Sequence, residues 1–316
     1  MTPRIVSLLP SATEIVCALG LRDHLVGVSH ECDFPPDVVG LPVVTASKVD
    51  VARRSEQIDA DIRALVMSGL GVYTIDAERL AALAPDLIVT QDQCDVCAVP
   101  YAEVVAATRA LVGSGTQIVS LRPSRLEDVW RDVETVATAA GIAAHGRGVA
   151  DQLRGAVAEL RERTGGLPRP RLACIEWLDP LMAAGNWLPD LADAAGASYQ
   201  LAAAGTHSGR LEWQTLVDAR PDVVCVMPCG FSLARTVTEL ETRLTEERWR
   251  MLPAVRAGRV YAVDGSAYFN RPGPRLVESA RILAGICHPD ELAGLLPPGA
   301  VVQLDAGSGG GATLPL

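Results

Sequence analysis

The chain has 316 residues, of which 49% are hydrophobic, and a formal net charge of −10. This length and apolar content allow two domains with cores of their own and exclude disordered and fibrous proteins. The negative charge argues against nucleic acid and anionic membrane surfaces as partners, and no unbroken apolar run reaches the roughly 18 residues of a membrane-spanning helix.

The N-terminal segment predicts a strand, Ile5–Leu9, followed by a helix that ends at Gly20. Its hydrophobicity is similar to that of an export signal, but a proline and several polar residues interrupt the apolar run. Cys17 follows Val16 and not the small residue that lipoprotein processing usually requires. We therefore expect a cytoplasmic protein, or a periplasmic or extracellular one if a signal has been removed.

Metal-capable side chains follow the next predicted strand, in the stretch SHECDFPP (29–36). Further along, AERLAALAPDLIVT (77–90) reads as a helix that breaks at Pro85 and continues as a buried strand. The loop QDQCDVC (91–97) follows that strand, and TQIVSL (116–121) predicts the last strand of a first lobe.

Two helices are predicted at the middle of the chain. Ser124 and Glu127 have capping-box spacing before a short helix that runs to Ala140. A second helix over about 143–164 would be roughly 33 Å long at 1.5 Å per residue, which is enough for a rigid connection. We expect a bridging helix at 143–165 between lobes at 1–142 and 166–290, with a disordered Gly- and Pro-rich tail at 291–316.

The second half repeats the order of the first. RLACIEW (171–177) is a predicted strand, EWQTLVDARPDVVCVM (212–227) is again helix, Pro-Asp and strand, and GRVYAV (258–263) closes the lobe. This alternation predicts an α/β fold of two similar lobes with parallel sheets. Because ligands bind at the carboxyl ends of parallel strands, the loops after these strands should form the rim of a cleft between the lobes.

The eight cysteines include one pair with metal-binding spacing, Cys94-x-x-Cys97. Together with His30 and Cys32 this pair supplies four ligands for zinc, and three of the cysteines suit an iron–sulfur cluster. A structural or redox-labile thiol pair is the alternative. We predict that His30, Cys32, Cys94 and Cys97 share one coordination sphere at the edge of lobe one, with Cys229 approaching from lobe two.

Other candidates lie in the same rim loops or at a helix start. Aromatic rings can form walls for a flat macrocycle, although core packing is the alternative for each ring. The helix start at Ser11 and Thr13 offers free amides for an anionic group, or plain capping. The candidate ligand-binding residues are Ser11, Thr13, His30, Glu31, Gln91, Trp177, Asn186, Trp187, Phe231, Tyr268, Asn270 and Arg271.

The motifs RIVSLLPSATEIVCALGL, PDLIVT, PDVVCVM and GRVYAVDG resemble the class III periplasmic binding proteins over about residues 4–290. This resemblance implies two lobes joined by a long helix, and a role in ABC importers of cobalamin, haem or ferric siderophores. SHECD, QDQCDVC, EWLDP, MPCGF and FNRPGPR resemble a leaderless cobalamin-binding branch. The motif Gly-His-Trp of that branch reads Gly185-Asn186-Trp187 here, so one imidazole is absent.

Three functions are compatible with these features. The first is a binding protein that holds a corrinoid or ferric chelate without catalysis, with an ABC transporter permease as its potential partner. The second is a zinc or iron–sulfur protein that uses the edge cysteines. The third is a thiol redox enzyme, because a CxxC between a strand and a helix is the thioredoxin arrangement. Hydrolase chemistry has no support, since G-x-S-x-G, Walker and H-E-x-x-H motifs are absent from the sequence.

Overall fold

A computed structural model describes residues 3–50, 53–67, 72–91, 104–105, 115–305 and 314–315. Contacts divide the chain into two units: Met1–Pro123 with Glu127–Leu153, and Ser124–Leu126 with Arg154–Leu316. The predicted long helix is present as Ala143–Thr164, and the division between the units falls within it.

Among the described residues, the parallel strands of unit 1 are β1 (Ile5–Ser7), β2 (Leu25–Gly27), β5 (Leu87–Gln91) and β6 (Gln117–Leu121). They form one sheet in the order β2–β1–β5–β6. β3 (Thr45–Ser47) and β4 (Tyr73–Ile75) form a separate antiparallel pair. β1 and β5 are buried along their whole length, and each begins with apolar residues. The helices in this half of the chain are Pro10–Ala18, Ser55–Met67, Ala77–Leu83 and Leu126–Ala139.

Unit 2 contains a larger, mixed sheet. Its strands are β7 (Arg171–Leu178), β8 (Leu181–Ala183), β9 (Ser198–Tyr199), β10 (Gly209–Arg210), β11 (Val223–Val226), β12 (Val260–Val263), β13 (Val301–Leu304) and β14 (Leu314–Pro315). β9, β7, β11 and β12 are parallel neighbours, and β8, β10, β13 and β14 extend this centre in antiparallel pairings. The helices are Leu188–Ala194, Trp213–Ala219, Leu233–Leu244, Glu247–Arg250, Pro253–Arg256, Leu276–Cys287 and Pro289–Leu292. The predicted α/β class with parallel sheets is confirmed, although the sheet of unit 2 is not purely parallel.

The predicted disordered tail is partly wrong. Val301–Leu304 forms β13, which pairs antiparallel with β12 and is largely buried. A short apolar run lies among the glycines and prolines of this segment. It pairs with the edge of β12, which would otherwise have no neighbouring strand on that side. Residues 306–313 lie outside the described part of the chain.

Three cysteines lie within apolar sequence patterns, where a free cysteine usually packs as a small hydrophobic residue, and two of them are buried. Cys225 is a fully buried strand residue and Cys287 ends a buried helix, and burial raises the pKa of both thiols. Cys17 is only half-buried, with a pKa raised to about 11 mainly by burial. These thiols are therefore protonated at neutral pH.

The same helix-to-strand junction occurs in both units. In unit 1 the helix Ala77–Leu83 ends at Ala84 in the left-handed region, with φ of 42°. Pro85 then prevents the helix from continuing, and the carboxylate of Asp86 accepts the backbone N–H of Arg4 at 2.8 Å. This bond ties the start of β1 to the start of β5.

Unit 2 repeats the arrangement residue for residue. The helix Trp213–Ala219 ends at Arg220 with φ of 45°, Pro221 follows, and Asp222 accepts the backbone N–H of Arg171 at 2.9 Å. The Pro-Asp pair therefore marks the same helix-to-strand junction in both halves. This equivalence supports the inference of one architecture used twice.

Replacing Asp222 with alanine should lower the free energy of unfolding by about 1–2 kcal/mol at pH 7. The Arg171 guanidinium hydrogen-bonds this carboxylate at 2.9 and 2.6 Å, which lowers the pKa of Asp222. A lowered pKa stabilises the fold above the unfolded value near ~4, and this contribution disappears as pH falls below it. Urea unfolding at pH 7 and pH 3 measures the difference, with the exposed Asp218→Ala as control. Equal losses in both variants would contradict the role of the junction.

Candidate functional site

The predicted SHECD loop leaves the carboxyl end of β2 and is held against β3. Val28 bridges Val43 in parallel, which brings the next residues alongside Thr45 at the start of β3. The Thr45 hydroxyl lies 3.0 Å from the backbone nitrogen of His30 and 2.7 Å from Nδ1 of its ring. The imidazole of His30 is thus oriented by a buried hydroxyl while the residue itself is exposed.

Tyr73, the first residue of β4, completes this arrangement. Its ring centroid lies 5.2 Å from that of His30 at an interplanar angle of 52°. Its hydroxyl donates a hydrogen bond of 3.1 Å to Oε1 of Glu31. Partial desolvation lowers the pKa of His30, while the neighbouring charge of Glu31 opposes this shift. The ring is therefore neutral at pH 7 and able to bind a metal.

Cys32 belongs to a second hydrogen-bonded chain at this edge. Its Sγ lies 3.0 Å from Oγ1 of Thr13, Thr13 donates to Oγ of Ser7 at 2.8 Å, and Ser7 donates to the carbonyl of Leu9. Because the Thr13 proton points to Ser7, the thiol of Cys32 is the donor toward Thr13. This chain of hydrogen bonds connects Cys32 to the first turn of the helix Pro10–Ala18.

Several predicted ligand residues of unit 1 lie beneath the surface. Ser11, Thr13 and Gln91 are buried. Their direct contact with a ligand stays a prediction.

The shared metal site cannot be assembled from the described residues alone. Cys94 and Cys97 fall in the segment 92–103, outside the part that the structure describes. Within the described ranges, no group of three or more His, Cys, Asp and Glu side chains is placed to hold a metal ion. Cys229 is exposed and belongs to unit 2. The joint coordination of these cysteines with His30 therefore stays a prediction.

In unit 2 a carboxylate network lies at the carboxyl end of β7. Oε2 of Glu176 accepts a 2.8 Å hydrogen bond from Ser208, whose Oγ accepts the backbone N–H of Gly185 at 2.9 Å. A Cβ at Gly185 would overlap the Thr206 carbonyl oxygen and lie 2.8 Å from the backbone nitrogen of Ser208. Only glycine fits at this close approach between two backbone segments.

The next two residues continue this contact. Asn186 has φ of 50°, a left-handed conformation that asparagine tolerates better than most residues. Its backbone N–H donates to Thr206 O at 2.6 Å, and its carbonyl accepts from Gly205 at 2.9 Å. Trp187 Nε1 donates to the carbonyl of Phe269 at 2.9 Å, which links this turn to the loop after β12.

The predicted aromatic walls are mostly covered. Trp177, Trp187 and Phe231 expose only 8%, 7% and 2% of their surface. Trp177 packs on Phe231 with centroids 5.2 Å apart, and the guanidinium of Arg235 lies 3.5 Å from the Phe231 ring centroid. The expectation that these rings form an open wall does not match this structure, where they pack against neighbouring groups. Tyr268 is only partly buried.

The loop after β12 carries the remaining candidates. Asn270 donates from Nδ2 to the carbonyl of Met227 at 3.0 Å, and buried Arg271 donates to Ser266 at 3.3 Å. Asp264 accepts the N–H groups of Ala267 and Leu233. Trp177, Phe231 and the loop at 264–271 follow the carboxyl ends of β7, β11 and β12, whereas Asn186 and Trp187 follow β8. That these residues bind a ligand stays a prediction.

Among the network residues that sequence reasoning missed are Thr45, Tyr73 and Ser208. Each acts through a partner distant in the chain, so no local pattern marks it. The nearest signal was the alternation of VVTAS (43–47), which indicates a short strand after the SHECD loop.

A family model described as periplasmic binding protein matches residues 5–267. An uncharacterized ABC transporter substrate-binding lipoprotein of Bacillus subtilis is 22% identical over 295 residues, covering 91% of this chain and 80% of that protein. A vitamin B12-binding protein of Vibrio parahaemolyticus is 22% identical over 278 residues, covering 87% and 86%. The resemblance seen in the motifs is thereby confirmed.

Solved structures share the fold. The periplasmic vitamin B12-binding protein BtuF of Vibrio cholerae superposes with a TM-score of 0.65 at 20% identity, covering 91% of this chain and 98% of that one. The periplasmic haem-binding protein RhuT of Roseiflexus gives 0.67 at 24% identity, covering 92% and 99%. These names do not support the predicted cytoplasmic location. Along the described ranges, no helix has the length and hydrophobicity needed to cross a membrane.

Proposed function

The chain belongs to the periplasmic binding protein family, and we propose that it binds a cobalamin-like corrinoid, without catalysis, for delivery to an ABC importer. Some relatives are named for vitamin B12, and some structural neighbours are named for haem. These names suggest that the ligand is a metal-containing macrocycle or an iron chelate. Within this class we choose the corrinoid.

The observation that carries this choice is the carboxylate of Glu176 at the edge of β7. A corrinoid has amide side chains around its ring, which donate hydrogen bonds, whereas a haem has carboxylates that a glutamate repels. The hydroxyl of Ser208 donates to Oε2 of Glu176 at 2.8 Å, which fixes the orientation of this carboxylate. A ligand that donates a hydrogen bond therefore suits the carboxylate of Glu176 better than an anionic ligand does.

The proposal includes a location on the outer side of the cytoplasmic membrane. It rests on the periplasmic and lipoprotein descriptions of the relatives. A binding component of an importer meets its ligand on that side, and the partner there is the permease of the importer.

Calorimetry with cyano-, hydroxo- and adenosylcobalamin, haemin and a ferric hydroxamate tests the ligand. We expect a corrinoid to bind at least about tenfold more tightly than haemin. Glu176→Gln should weaken corrinoid binding by about tenfold, because it removes a charge-assisted hydrogen bond. The control is Glu212→Gln, an exposed glutamate before a helix of unit 2 whose side chain does not cap it. Absence of corrinoid binding at high micromolar concentration, or tighter binding of haemin, would contradict the proposal.

A further inference from the structure

His30 has the geometry of a single preoriented metal ligand. The Thr45 hydroxyl oxygen has two lone pairs, so it can accept the backbone N–H and the Nδ1–H of His30 together. In that tautomer the lone pair of the imidazole is on Nε2. The packing of Tyr73 against the ring limits its rotation. Histidines that bind metals typically donate the other ring N–H to such an acceptor, which fixes the ring and its tautomer.

Nε2 of His30 makes no hydrogen bond to any residue that the structure describes. The residue is exposed, whereas Thr45, which orients it, is buried. An orienting contact on Nδ1 combined with an accessible Nε2 is the arrangement that leaves a nitrogen available to a bound molecule.

The number of protein donors near His30 bears on the kind of metal complex that it can bind. Across the described residues, no group of three or more potential protein ligands includes this imidazole. A metal that arrives with a macrocycle already supplying four donors needs only one more. A single oriented imidazole therefore suits a complex with an exchangeable axial position.

From this geometry we propose that Nε2 of His30 binds the metal of the bound macrocycle as an axial ligand. This inference rests on the proposed function and specifies its ligand class: a corrinoid or porphyrin whose axial water or hydroxide can be displaced. In the step, the Nε2 lone pair forms the bond to the metal and the axial water or hydroxide leaves. The oxidation state of the metal does not change. Thr45 is the positioning residue, since it acts only through His30.

Visible absorption spectroscopy with aquocobinamide and with haemin tests the coordination and distinguishes the two sources of metal. Wild-type protein should shift the spectrum of the bound macrocycle relative to the free one, and His30→Ala should abolish that shift and weaken binding at least about tenfold. Added free imidazole should restore the shift in His30→Ala. The control is His145→Ala, an exposed histidine on the helix Ala143–Thr164.

The positioning role of Thr45 has its own variants. Thr45→Val keeps the shape of the side chain but removes the acceptor, and should weaken axial binding by about 10–100-fold. Thr45→Ser should retain the spectral shift. Far-UV circular dichroism of each variant checks that the fold is intact.

The outcomes separate this inference from the proposed function. Tight binding with an unshifted spectrum, or a shift that persists in His30→Ala, overturns the axial role of His30 while leaving the binding function standing. Failure of every corrinoid and haemin to bind contradicts both. A shift with haemin alone keeps the role of His30 but rejects the corrinoid as the ligand.

Discussion

Gly185→Ala is expected to lower the free energy of unfolding by about 3 kcal/mol and to abolish ligand binding. The added methyl group would overlap the carbonyl of Thr206 and approach the backbone nitrogen of Ser208 to 2.8 Å. Both obstacles are backbone atoms, which cannot rotate away as a side chain can. Relief requires the two segments to separate, which breaks the hydrogen bonds from Gly185 to Ser208 and from Asn186 to Thr206.

Urea unfolding and calorimetry with a corrinoid measure the two effects. The matched control is Gly148→Ala in the helix Ala143–Thr164, where a Cβ would meet nothing within 4 Å. There we expect a gain of about 0.5–1 kcal/mol, because alanine restricts the unfolded chain more than glycine. A Gly185→Ala protein as stable as wild type would show that this turn can move, and that the close approach is not required.

Asp132→Asn is expected to stabilise the protein, by up to about 4 kcal/mol above pH 8. Burial and the nearby charge of Asp128 raise the pKa of Asp132 to about 7, and its Oδ2 has no hydrogen-bond partner in the described structure. Because the folded pKa lies above the unfolded value of about 3.9, the folded state holds a proton that the unfolded state releases. The wild-type protein therefore loses stability as pH rises from about 4 to 7.

The asparagine variant lacks this titration. Its gain in stability should be near zero at pH 4 and reach its maximum above pH 8. Urea unfolding across this pH range measures the gain, with Asp218→Asn as the control because Asp218 is exposed in the helix Trp213–Ala219. A gain that is constant with pH would mean that desolvation of the charge is not the cause.

Much of the fold could be predicted because its signals are local. The helix Ala143–Thr164 has the predicted bounds, since helix periodicity and the stop residues TGGLPRP act over a few turns. The strands β5 and β11 follow Pro-Asp pairs at the same junction. There a proline ends each helix, and the aspartate carboxylate accepts the backbone N–H at the start of the neighbouring strand. The duplicated α/β order follows from these short patterns.

The contacts of the site depend on residues that lie far apart in the chain. The sequence placed His30 in a rim loop, but Thr45 and Tyr73 reach it only because β3 and β4 pair next to that loop. It marked Trp177 and Phe231 as rim aromatics, whereas packing within unit 2 buries them. Composition indicated a disordered tail, whereas Val301–Leu304 pairs with the open edge of β12.

Hydrophobic periodicity and Pro or Gly breaks act within a few residues, so the sequence alone indicates which segments become strands, helices and loops. Whether a loop side chain is exposed, oriented by a partner or covered is settled by the folded chain. Those properties depend on strand register and on packing between elements, and a short stretch of sequence carries little information about either.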